Sequence, residues 1–127
     1  MVTFENFIPE DGMPIYIQIL RYIKRGIVSG VIVNGDELPS RRVLSALLGV
    51  NPNTVQKAYR ALEDEELIDS RLGSKSCMDL SSEKIERVRS ELTEADAIGV
   101  VKAMKQMGFS KEEAVSLIEK YWDKEGL

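Results

Sequence analysis

"PSRRVLSALLGVNPNTVQKAYRALEDEELIDS", from Pro39 to Ser70, holds two short helical patterns joined through Gly49-Val50-Asn51-Pro52, followed by an apolar-acidic alternation that reads as the start of a strand. Ser40 is placed to cap the first helix, whose apolar positions Val43, Leu44, Leu47 and Leu48 form one stripe ending at Gly49, a natural left-handed stop. The second helix opens at once. Asn51 is a good N-cap, and Pro52 suits the first helical position because its missing N–H would be an orphan donor there anyway. Val55, Ala58, Tyr59 and Leu62 then face a core, while Asn53, Gln56, Lys57 and Arg60 project from the opposite face at i, i+3, i+4 and i+7. Amide side chains can pair with adenine in a major groove, and Lys or Arg can reach guanine or phosphate. On these four residues alone the plainer reading stands first, because a polar helix face is usually just solvated.

The flanking sequence favours the groove. Upstream, Ile15, Ile19, Ile23 and Ile27, with Tyr16 and Leu20 beside them, predict an amphipathic helix entered at Pro14 and left at Gly30. Val31 to Val33 predicts a short strand, and Asn34-Gly35 a turn. Downstream, "ELIDSRLGSKSCMDL" alternates through Leu67-Ile68 and Ser70-Arg71, turns at Leu72-Gly73 and returns through Lys75 to Met78. The expected element is a small hairpin with Arg71, Gly73 and Lys75 at its tip. Strand, two helices and a basic-tipped hairpin in this order predict a winged helix-turn-helix.

From Pro14 to about residue 80 the chain resembles the DNA-binding domain of the GntR family of bacterial transcription regulators. "GDELPSRRVLSALLGVNPNTVQKAYRALEDEELI" matches that family's Leu-Pro-Ser-x-Arg-x-Leu and Asn-x-x-Thr-Val-x-x-Ala-Tyr runs. The resemblance implies that Arg42 contacts operator DNA from the second helix, that Ser40 caps this helix with phosphate contact as a second role, and that Asn53 and Thr54 approach bases or phosphates. It places Gln56 where some relatives carry arginine. Arg41 is not a family-defining position; it is either simply exposed or an extra positive charge near the DNA backbone. Two departures stand out. Relatives usually have glycine where this chain has Glu66, and their wing commonly runs basic-x-Gly-x-Gly-Thr, of which only the first glycine, Gly73, is kept. The acidic run Glu63 to Glu66 should point away from phosphate.

The chain has 127 residues, a net charge of −4, one cysteine (Cys77) and no histidine. That length suits one core plus an appendage. Histidine-based metal sites and triads are excluded, an internal disulfide cannot form, and neither a bilayer-spanning run nor a signal peptide is expected, so the expected location is the cytoplasm. No enzyme and no cofactor is expected: there is no phosphate loop and no activated nucleophile.

Residues 81–127 are expected to form a helical dimerisation tail after a DNA-binding domain at 1–80. Ile85, Val88 and Leu92 follow Ser82; Thr93-x-x-Asp96 reads as a capping box before a helix carrying Ile98, Val101 and Met104. Ser110-x-x-Glu113 opens a last helix expected to bury Ala114, Leu117, Ile118, Tyr121 and Trp122. Met104, Met107, Phe109 and Trp122 could line an apolar pocket, but packing is the expected role. Two such helices are too small for a core of their own, and an identical pair from a second subunit would cover Ile98, Val101, Met104, Leu117, Ile118, Tyr121 and Trp122. Within the resemblance, so short a tail is similar to the YtrA branch, since it cannot build the large effector domain of other branches. The expected fold is thus mainly α, a winged helix-turn-helix with a small hairpin wing followed by a helical tail. The expected function is a homodimeric, operator-specific transcription regulator acting as a repressor on double-stranded DNA. A small-molecule effector that no residue identifies remains open as a partner, and no membrane partner is expected. The alternatives are a small-ligand or protein-responsive sensor with weak DNA contacts, and a winged-helix interaction module that has lost DNA binding.

Overall fold

The computed structural model describes residues 1–72 and 75–127. The elements are α1 (Ile15–Ser29), β1 (Glu37–Leu38), α2 (Arg41–Leu48), α3 (Pro52–Asp64), β2 (Ile68–Leu72), β3 (Lys75–Met78), α4 (Ser82–Gln106) and α5 (Lys111–Trp122). This is the mainly helical winged helix-turn-helix that the pattern predicts. Helix ends are set by the expected chemistry. Ser40 accepts a hydrogen bond from Val43 N and Asn51 from Asn53 N, while Gly49 closes α2 at φ 65°. Ile19, Ile23 and Ile27 of α1, Leu44 of α2, and Val55, Ala58, Tyr59 and Leu62 of α3 are buried together with Leu67, Met78 and Val88. The three strands form an antiparallel sheet in the order β1-β3-β2.

Residues 31–33 do not form the expected strand. Only Ile32 is buried; its N–H donates to Gly26 O and its side chain lies over Gly26, where an added Cβ would come within 2.5 Å of Ile32 Cδ1. Asp36 accepts from Val33 N, and Gly35 N donates to Met78 O. The chain therefore turns first and pairs afterwards, with Glu37 opposite Cys77 and Leu38 opposite Ser76. The apolar stripe of α2 is also narrower than expected. Leu44 is fully buried and Leu48 half-buried, whereas Val43 and Leu47 are exposed. The next buried position goes to Ser45, whose hydroxyl donates to Val50 O at 2.6 Å and so ties down the turn between the helices.

After α3 the chain keeps the left-handed turn without glycine: Glu66 has φ 61°. Leu67 N donates to Leu62 O across this turn, and two further carbonyls are taken by α4, with Lys84 Nζ on Glu66 O at 2.6 Å and Arg87 Nη2 on Glu65 O at 2.8 Å. Cations on helix C-terminal carbonyls are the favourable sign for the helix dipole.

The chain divides into two compact units, Met1–Leu92 and Thr93–Leu127. The first ten or so residues of α4 belong to the first unit, whose core takes in Val88 with Ile85 packed against it. Thr93 does not start a new helix, because α4 runs unbroken through it. Glu91, Leu92, Glu94, Ala95 and Ala97 are strong helix formers with no proline among them, so the cap signal is overridden. What changes at Thr93 is burial, since Leu92 is the last buried residue of α4. In the second unit α5 begins with the expected capping box: Glu113 N donates to Ser110 Oγ and Ser110 N to Glu113 Oε1. The bond from Ser110 N to the carboxylate foremost, and hydrogen bonding by the Ser110 side chain second, favour the charged form and hold Glu113 below its ordinary pKa. No residue of α5 is fully buried; Ala114 and Leu117 are half-buried, while Ile118, Tyr121 and Trp122, expected to be buried, are exposed. Met104 and Phe109 are half-buried but Met107 is exposed, so the packing role expected of Met107 and Trp122 is not met within the chain.

Candidate nucleic-acid interface

The outer face of α3 follows from its inner one. With Val55, Ala58, Tyr59 and Leu62 buried, Asn53, Gln56, Lys57 and Arg60 are all exposed, and Thr54 is half-buried at the helix start. Gln56 and Arg60 have no hydrogen-bond or ion-pair partner among the described residues, so their donors are available to a ligand. Lys57 is partly committed: its ammonium lies 4.1 Å from the ring centroid of Tyr16 on α1.

The start of α2 supplies a second positive feature. Orphan backbone N–H groups and the helix dipole favour an anion there, and Arg42 is exposed without a partner among the described residues. Ser40 is exposed, with its oxygen engaged by Val43 N. Arg41 is not simply exposed. It is half-buried, its Nη2 lies 2.7 Å from Glu63 Oε1, and its guanidinium stacks 5.0 Å from the Tyr59 centroid. Its charge is thus matched within the chain.

Tyr59 anchors this corner. Burial pushes its phenol well above the ordinary range, against a smaller opposing pull from Arg41, so the hydroxyl stays a donor and holds Pro39 O at 2.6 Å. On the wing, Lys75 is exposed and lies 3.4 Å from Glu37 Oε1. Gly73 falls outside the described residues, as does the side chain of Arg71. Of the acidic run, Glu63 pairs with Arg41 and Glu65 with Lys24, which leaves Asp64 and Glu66 as its exposed members. The pairings of Arg41 with Glu63 and of Lys57 with Tyr16 have no signature in the sequence, since each joins residues far apart along the chain with no spacing rule between them.

A helix-turn-helix whose second helix presents amides and cations, backed by a three-stranded wing, defines a DNA-binding transcription regulator of the winged helix class. The chain belongs to the GntR family: residues 15–75 match bacterial regulatory proteins of the gntR family. It is 32% identical over 112 residues to the HTH-type transcriptional regulator YhcF of Bacillus subtilis (strain 168), covering 88% of this chain and 93% of that one. The HTH-type transcriptional repressor YtrA of the same organism is 43% identical over 65 residues, 51% of this chain and 50% of that one. Among solved structures, a GntR family transcriptional regulator from Listeria monocytogenes superposes with a TM-score of 0.75 at 33% identity, over 88% of this chain and 98% of that one. YtrA from Sulfolobus acidocaldarius, a GntR-family transcription factor, gives 0.53 at 29% identity over 93% and 96%. Among the described residues no helix is long and apolar enough to cross a membrane.

Proposed function

We propose that this regulator is a cytoplasmic homodimer that represses transcription by binding a two-fold operator, with residues 1–80 reading DNA and residues 81–127 joining the subunits. The exposed face of α3 carries the reading: Asn53, Gln56 and Arg60 are polar, available and backed by a rigid core, as base contacts require. Thr54, Lys57, Arg42 and the start of α2 hold phosphates beside that face, and Lys75 with Arg71 and Gly73 extends the contact along the wing. Repression is favoured by the likeness to the YtrA repressor. Dimerisation is favoured by the apolar side chains that the second unit leaves uncovered, Ile98, Val101, Ile118, Tyr121 and Trp122.

The test is a salt series on promoter DNA from upstream of the protein's own gene. A dimer neutralising about six phosphates should lose affinity with a log–log slope of roughly −5, because each contact releases condensed counterions. A slope near zero on every such fragment would remove the operator reading.

A further inference from the structure

We propose that Arg41 and Glu63 are positioning residues that fix the wing against the helix-turn-helix, and that Arg41 is not a phosphate ligand. The inference rests on the reading that this domain binds DNA. One carboxylate oxygen, Glu63 Oε1, accepts from Arg41 Nη2 at 2.7 Å and from Ser70 Oγ at 3.1 Å. Ser70 Oγ lies 2.9 Å from Ser76 Oγ, so the chain of contacts runs from the first residue of α2 through the last turn of α3 to β2 and across to β3. Ser76 is buried and directly follows Lys75 in β3, so a shift of this serine pair carries the basic wing residue with it.

Arg41 is poorly placed to leave. Its guanidinium covers the Tyr59 ring, whose hydroxyl holds Pro39 immediately before the cap Ser40. Its Nε is buried, with no hydrogen-bond partner among the described residues, so the inner part of the side chain is covered while the side chain as a whole stays partly exposed. Swinging it out would leave Glu63 half-buried with one serine hydroxyl for company. Arg42, exposed and uncommitted among the described residues, is the arginine free to meet phosphate. Because a partly exposed ion pair contributes little to global stability, its effect should fall on the geometry of the wing rather than on folding.

The experiment uses the full chain and its promoter fragment. Arg41→Ala and Glu63→Ala should each weaken binding about tenfold, and the double variant should be no weaker than either, since both break one unit. Neither should change the salt slope, and Lys75→Ala, which weakens the parent, should have no further effect in the Glu63→Ala background. Without DNA, amide exchange in β2 and β3 should quicken in both single variants while α1 and α3 keep their protection. The proposal is overturned if Arg41→Ala lowers the slope by about one per subunit while Glu63→Ala tightens binding, the result expected of a phosphate ligand released from a competitor. Unchanged exchange in the wing also overturns it. Failure of the parent protein to bind any promoter fragment would instead sink the operator reading, with the exchange experiment still deciding the role of the pair.

Discussion

Glu66 holds a left-handed backbone at φ 61° although it carries a Cβ, in a turn where the fold needs that conformation to send Leu67 back into the core. A Cβ there crowds the backbone by roughly 1 kcal/mol, and its contact with Lys84 runs through the carbonyl rather than the side chain. Glu66→Gly should therefore raise stability by ~0.5–1 kcal/mol, the glycine's extra freedom in the unfolded chain offsetting part of the relief. Urea denaturation checks it, and a loss of stability would mean that the carboxylate does something its position does not show. At the same scale, base reading and phosphate holding separate. Gln56→Ala should cost ~1–3 kcal/mol at particular operator positions, whereas Arg42→Ala should weaken binding across all sequences. Binding to a panel of single-base operator variants distinguishes them, and uniform tolerance in Gln56→Ala would put a different face of α3 in the groove. These side chains were legible in the sequence because helical spacing alone sorts inward from outward. Arg41 was not, because its partner lies 22 residues away and no periodicity links them.

Among the elements, chemical starts and stops were legible except at Thr93, where strong helix formers override the cap signal, and apolar content alone was a poorer guide. The Asn51-Pro52 start of α3 and the Ser110 box of α5 stand where the side chains demand. Val31 to Val33 has strand composition but no partner edge at that point of the chain; the pairing edge is β3, reached only after the turn at Gly35. Val43 and Leu47 suffered similarly, since a helix of eight residues offers the core one narrow line. The opening residues went unread altogether. Val2 and Phe4 are buried and Phe4 stacks on Tyr22 at 4.9 Å, yet no repeating pattern marks an irregular strap. Because the side chain of Asn51 satisfies Asn53 N at the mouth of the reading helix, Asn51→Ala should lower stability by ~1 kcal/mol. Thermal unfolding measures the loss, and amide exchange should place it in the first turn of α3; fraying elsewhere would assign the cap a different role.

At the scale of the whole molecule, a chain of net charge −4 meets a polyanion only if its charges are sorted. The sorting is visible in the first unit, where Glu63 and Glu65 are each paired with a cation while Arg42 and Arg60 are left exposed. The second unit poses the complementary problem, because its apolar side chains outnumber what two helices can cover. Ile118 is 40% exposed on α5, whereas Leu117 beside it is half-buried and helps hold its own unit together. Ile118→Glu is therefore the cleaner probe of assembly: it places a charge on the uncovered face without emptying the unit's interior. If a second subunit covers that face, the carboxylate must be desolvated against apolar groups at a cost of several kcal/mol, and the dimer should dissociate. The winged helix, whose core of Ile19, Ile23, Val55 and Leu62 lies in the other unit, should keep its own unfolding transition. Operator affinity should nonetheless fall by about a hundredfold or more, because two linked half-sites gain from effective concentration what a single one cannot. Sedimentation beside the binding titration decides it. A variant that still sediments as a dimer and still binds tightly would move the subunit contact off α5, and the exposed Val43 and Leu47 of α2 would be the next apolar surface to test.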